Sequence, residues 1–279
     1  MKAFAGLALL ALAAAVPASA LDWTRDPVAQ TRARLSAAPV SAAFAAPDSR
    51  RGGGGSGGGV VGRFDSYVFS LEWEPSFCAG KSSLPECAAL NAGSFGATNL
   101  SLHGLWPDQS SDSSHSYGYC GVDPQTRSLD RGSTWCRMPA LNLSPSTLDA
   151  LTPAMPGTAS CLENHEWYKH GSCSGYTPDE YFTRAAGLVD AVAASSFGQW
   201  VTAHVGQTVS DSDFRSAFES YFGTGSSSYV SLLCTNSMLL DVRMHLATPL
   251  QDASSLPQML LSDSGQDKCP SSFSIPAPN

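Results

Sequence analysis

Ser66-Tyr-Val-Phe-Ser-Leu-Glu-Trp73 places a large apolar side chain at every second position, Tyr67, Phe69, Leu71 and Trp73, with Ser66, Ser70 and Glu72 among the residues between them. A period of two marks a strand with one face in a core. Outward from it, Asn99-Leu-Ser-Leu-His103 alternates in the same way. Tyr229 to Cys234 and Met238 to Leu246 are β-branched or apolar runs that pair naturally across the short Thr-Asn-Ser segment between them. These four stretches predict a sheet. Thr177-Pro178-Asp179-Glu180 supplies a cap residue, a proline at the first helical position and an acid at the third, and Ser210-Asp-Ser-Asp213 opens a second helix. Helices are predicted over 179–194 and 211–222. Strands and helices do not alternate strictly and no repeat of fixed period occurs, so the expected class is α+β rather than a doubly wound parallel sheet.

The 279 residues carry a net charge of −8, which excludes nucleic-acid binding by a broad positive coat. Hydrophobic content of 43% suffices for a packed interior. Residues 1–20 read as a cleaved export signal: Lys2, an apolar run from Ala3 to Val16, then the small-x-small ending Ala18-Ser19-Ala20. The run is too short to cross a bilayer, so no stable membrane insertion is expected. Residues 21–62 read as a flexible tail ending in a Gly-rich linker, and 63–279 as one folded domain. From Val60 onward there are ten basic and 21 acidic residues. All eight cysteines follow the leader, an even number that suggests four disulfides in an oxidising compartment, periplasmic or extracellular. No CxxC pair occurs, which argues against cysteine-bound metal. Sequence alone permits 105 pairings.

Two segments concentrate chemistry: Ser101-Leu-His103-Gly-Leu-Trp106-Pro-Asp108, and Glu163-Asn-His165-Glu166-Trp167-Tyr168-Lys169-His170-Gly171. The second holds two of six histidines and one of four lysines. On a regular helix, about 100° per residue places His165, Lys169, Glu166 and His170 within an arc of roughly 140°. Trp167 and Tyr168 then lie on the other side, free to pack. A structural reading, with each His and ion pair merely supporting a helix, is possible for one such group and strained for four. A zinc peptidase would need its two histidines four apart; here they are five apart. A glycosidase needs two carboxylates, and a serine-hydrolase elbow falls only within the Gly linker. Two imidazoles, a lysine and a carboxyl can perform phosphoryl transfer within RNA without metal or cofactor. One neutral imidazole takes the 2′-hydroxyl proton, a protonated one delivers a proton to the departing 5′-oxygen, and lysine offsets the charge that develops. DNA lacks the attacking hydroxyl.

His103-Gly-Leu-Trp-Pro107 and His165-Glu-Trp-Tyr-Lys-His-Gly171 resemble the two active-site motifs of the ribonuclease T2 family, and the resemblance runs from about Tyr67 to the last cysteine. Glu74-Pro-Ser-Phe-Cys78 and 157–161 are most like its bacterial periplasmic branch. The resemblance implies an α+β fold with a central antiparallel sheet and an endoribonuclease acting on single-stranded RNA with weak base preference. It implies His170 as general base and His103 as general acid, with Glu166 and Lys169 stabilising the transition state. His165 would hold phosphate, and Trp106, Asp108 and Tyr117 would contact a base. It further implies the pairs Cys78 with Cys87, Cys120 with Cys173, Cys136 with Cys161 and Cys234 with Cys269. A monomer is expected. The rival expectation is an RNA-binding or toxin-like protein on the same scaffold without turnover.

Overall fold

The computed structural model describes residues 59–109, 117–262 and 267–278; the expected signal and most of the tail lie outside them. Among the described residues, six strands form one sheet: β1 (Ser66–Glu72), β2 (Ser101–Asp108), β3 (Gln207–Ser210), β4 (Val230–Thr235), β5 (Met238–Ala247) and β6 (Ser272–Ile275). β1 lies between β2 and β5, antiparallel to both, and β4 folds back on β5. The β4–β5 turn uses Asn236 and Ser237, both at positive φ, as a tight hairpin turn requires. β5 meets β6 in parallel, so the sheet is mixed rather than wholly antiparallel. β3 joins through β6.

One face of the sheet is the core. Tyr67, Phe69 and Leu71 of β1, Leu102 and Leu105 of β2, and Val242, Met244 and Leu246 of β5 are all buried. The helix Pro178–Ala193 covers this face with Tyr181, Phe182, Ala185, Leu188, Val189 and Val192, an apolar stripe at helical spacing. Tyr181 Oη donates to the Leu105 carbonyl at 2.6 Å, pinning helix to β2. Its N-terminus is closed by a capping box between Thr177 and Glu180 with Pro178 in the first turn. Helix Asp211–Phe222 begins where Ser210 Oγ accepts from the Asp213 amide at 3.0 Å, and it buries Phe214, Ala217, Phe218 and Phe222. Helices Pro145–Ala154 and Ser196–Ala203 were not expected from the sequence.

Four disulfides join Cys78 to Cys87, Cys120 to Cys173, Cys136 to Cys161 and Cys234 to Cys269. The second and third tether the loops around 120–136 to the segment carrying the His165–Gly171 motif. Residues 59–62, read from sequence as the end of a flexible linker, are instead hydrogen bonded to the domain: Gly59 N–H donates to Gly118 and Gly62 N–H to Cys173, each at 2.9 Å. Thr177→Ala removes the cap hydroxyl from an exposed position, where its hydrogen bonds are to Glu180 and not to the motif side chains. It is expected to lower unfolding free energy by about 1 kcal/mol, measured by urea denaturation, with RNA cleavage unchanged.

Candidate active site

β2 continues past His103 to Asp108 instead of ending there, because the alternation that marks a strand is interrupted rather than lost. Its register against β1 shifts between Ser70 and Leu71: Ser70 faces Gly104 while Leu71 faces Leu102. His103 is the extra residue of a β-bulge, which lets Leu102 and Leu105, three apart, both enter the core. The opposite face then carries Ser101, Gly104, Trp106 and Asp108 beside Glu72 and Ser70 of β1 and Asp241 and Arg243 of β5.

The second motif is not one regular helix. Leu162–His165 is α-helical, Glu166–His170 makes a π turn, and a 3₁₀ turn follows over Gly171–Cys173. The Gly171 amide reaches back to the Glu166 carbonyl, an i→i+5 closure, while the Lys169 carbonyl accepts from the Tyr119 amide at 2.8 Å. The wider turn overturns the helical-wheel expectation that His165 and His170 diverge by about 140°. Their ring centroids are 5.9 Å apart. Donor atoms of His165, Glu166 and His170 lie within 4.8 Å of one another, so residue spacing gives no ground for excluding joint ligation.

The two motifs meet through Trp106. Its Nε1–H donates to Glu166 Oε2 at 2.6 Å, and its indole lies 5.3 Å from the His103 ring and 5.2 Å, stacked, from His170. Both imidazoles therefore rest against one side chain. Gly104 makes this approach possible, since a Cβ there would come within 2.1 Å of both Glu166 Oε2 and Trp106 Nε1. Glu166 is fully buried; its Oε1 and His170 Nδ1 have no hydrogen-bond partner.

A sequence model of the ribonuclease T2 family matches residues 64–255. The chain belongs to the ribonuclease T2 family. Ribonuclease I of Escherichia coli (strain K12) is 32% identical over 224 residues, covering 71% of this chain and 82% of that relative. Ribonuclease Rh of Rhizopus niveus is 30% identical over 163 residues, 52% of this chain and 63% of its own. Ribonuclease MC1 from bitter gourd seeds superposes with a TM-score of 0.46 at 22% identity, over 75% of this chain and 99% of that one. As a member of the ribonuclease T2 family, the protein is an endoribonuclease that acts on RNA.

In this T2 site the environments of the two imidazoles differ in sign. Burial lowers the pKa of His103, but hydrogen bonding to Asp241 and the charges of Glu166, Glu72 and Asp241 outweigh it and raise the value to about 9. Burial drives His170 well below 6.5, and Lys169, His165 and His103 push it the same way. Burial raises the Glu166 carboxyl above its usual range, opposed by His103, His165, the Trp106 hydrogen bond and Lys169. His165 is held from behind, its Nδ1 2.5 Å from Asp130 Oδ1. Asp130 also accepts from Tyr119 Oη at 2.6 Å and Trp135 Nε1 at 2.8 Å.

Two residues expected at a base are engaged otherwise. Trp106, besides binding Glu166, stacks on His170 and carries the Arg243 guanidinium 5.3 Å from its ring centroid. Tyr117 leans on Phe64, accepts from the Arg63 amide at 3.2 Å and donates to the Val60 carbonyl, so its ring secures the segment entering β1. Asp108 ends β2 opposite Ser66 and shares the face of Trp106. Asp130, Trp135, Asp241 and Arg243 were missed. For the last two a signal existed: Asp241, Arg243 and His245 alternate within an otherwise apolar strand.

Gly104→Ala should displace the Trp106–Glu166 hydrogen bond and cut kcat by ~10²-fold or more while the protein still folds, as judged by circular dichroism. A pH effect on stability also follows. Burial raises Glu72 to about 8 and Glu74 to about 7. These groups and His103 bind protons more tightly folded than unfolded, so stability falls as pH rises toward 9; the opposing contribution of His170 is complete above about 6.5. Melting temperature is expected to drop between pH 7 and 9, and Glu72→Gln to flatten that drop.

Proposed function

We propose that the protein is an exported, metal-independent endoribonuclease that cleaves single-stranded RNA with little base selection, through a 2′,3′-cyclic phosphate. His170, kept neutral, takes the proton of the ribose 2′-hydroxyl, and the oxygen attacks the adjacent phosphorus. His103, kept protonated, donates to the 5′-oxygen as the P–O5′ bond breaks. In the second step the roles exchange: His103 deprotonates water, the water oxygen attacks the cyclic phosphate, and His170 returns a proton to O2′, leaving a 3′-phosphate. Lys169 supplies positive charge beside the phosphorane. Glu166, fixed by Trp106, is assigned to stabilising the charge of the transition state beside Lys169. His165, braced by Asp130, is assigned to a substrate phosphate.

The observation that carries this reading is the pair of imidazoles against one indole with oppositely shifted proton affinities. Asp108, which ends β2 on the face that carries Trp106, is assigned to contact with a base. Export rests on residues 1–20, whose apolar run is too short to cross a bilayer. Among the described residues no helix is long and apolar enough to cross a membrane.

Rate should rise as pH climbs through the depressed value of His170 and fall as it passes about 9, where His103 loses its proton. The plateau is broader toward neutrality than two unshifted imidazoles would give. In EDTA the wild type should cleave RNA fully, leave cyclic-phosphate ends early in digestion, and spare DNA. His103→Ala and His170→Ala should each lose ~10²-fold or more. Near-native turnover in either variant, or loss of wild-type activity in chelator, would reject the proposal.

A further inference from the structure

Asp241 and Arg243 face the site from β5, on the side of β1 away from the two motifs. The register lines up Ser101, Glu72 and Asp241 in one row across β2, β1 and β5, and Gly104, Ser70 and Arg243 in the next. His103, the bulge residue, falls between these rows. Its Nδ1 is 3.4 Å from Asp241 Oδ1. The other carboxylate oxygen of Asp241 accepts from Arg243 at 2.5 Å, and Arg243 Nε donates to Ser70 Oγ at 3.2 Å. The guanidinium also lies over the face of Trp106, 5.3 Å from the ring centroid.

We propose that Asp241 and Arg243 are positioning residues for the reaction: Asp241 orients the His103 ring so that Nε2 meets the leaving oxygen, and Arg243 locks Asp241 to the Trp106–Glu166 pair. The assignment rests on His103 being the general acid. Asp241 is only 3% exposed, and a buried carboxylate with a guanidinium contributes little stability over an apolar pair, so stability alone does not account for its place. A carboxylate on one imidazole nitrogen also sets the tautomer, leaving the other nitrogen to act, and such contacts shorten when substrate closes the site. The loop His103–Asp241–Arg243–Trp106 thus connects the acid to the side chain that supports the base, His170. The charged and titratable groups that face His103 are Glu72 and Glu74, Glu166 and His170, and Asp241 and Arg243.

The test compares Asp241→Asn, Arg243→Gln and His103→Ala on a uridine dinucleotide and on uridine 3′-(4-nitrophenyl phosphate), whose leaving group needs no general acid. Asp241→Asn should lose ~10²-fold in kcat on the dinucleotide, with the alkaline limb of its pH profile moved down by about one unit. Arg243→Gln, which leaves the carboxylate beside His103 without its cation, should move that limb the opposite way while lowering kcat. Both defects should shrink at least tenfold on the nitrophenyl ester. An Asp241→Asn defect equal on both substrates, or unchanged alkaline limbs in both variants, overturns the proposal. If Asp241→Asn fails to fold, Arg243→Gln decides by the same two readouts. Failure of the ester to rescue His103→Ala would instead reject the acid role itself, separating the two outcomes.

Discussion

The hydrogen bond from Trp106 Nε1 to Glu166 Oε2 holds together two segments that the chain delivers from different directions. β2 brings Trp106 and His103; the π turn brings Glu166, Lys169 and His170. Each partner is prepared by its own backbone. The bulge turns His103 out of the alternation while both flanking leucines stay in the core, and Gly104 clears the volume a side chain would fill. The helix Pro178–Ala193 fixes β2 from the core side through Tyr181, and the Cys120–Cys173 disulfide fixes the 3₁₀ turn that follows the π turn. Remove the hydrogen bond and the imidazoles no longer share a support, although the core beneath them would persist.

An acidic protein that works on a polyanion must make its electrostatics local. Carboxylates around His103 outweigh its burial and keep a proton on, while burial, helped by nearby cations, keeps a proton off His170. This division explains why two chemically identical side chains 5.3 and 5.2 Å from one indole can take opposite roles. It also carries a cost. Glu72 and Glu74 are buried where ionisation is unfavourable, so the fold loses stability as pH rises toward the values at which those carboxyls ionise.

Much of this was legible in the chain. Period-two alternation located β1, paired apolar runs located β4 and β5, and two cap signals located helices Pro178–Ala193 and Asp211–Phe222. β3 and β6, four residues each, are too short to build a pattern. Helix Pro145–Ala154 opens with Ser144-Pro145, a hydroxyl cap and proline like Thr177-Pro178, but Pro153 interrupts its pattern. The candidate site was legible as residue types and not as geometry. A wheel at 100° per residue cannot anticipate a turn closed from Gly171 to Glu166, so it separated two rings that the backbone brings together. Asp130 and Asp241 escaped because each acts through a histidine distant in sequence, and only the register and the disulfide-tethered loop bring them close.

The central claim is that folding pushes the two imidazoles to opposite charge states. An NMR titration of the histidine side chains in the full-length protein, with His103 and His170 assigned by single substitution, measures this directly. The account predicts His103 still protonated at neutral pH and titrating at about 9, with His170 neutral until well below 6.5. Two rings titrating together near 6.5, or in the reverse order, would contradict it.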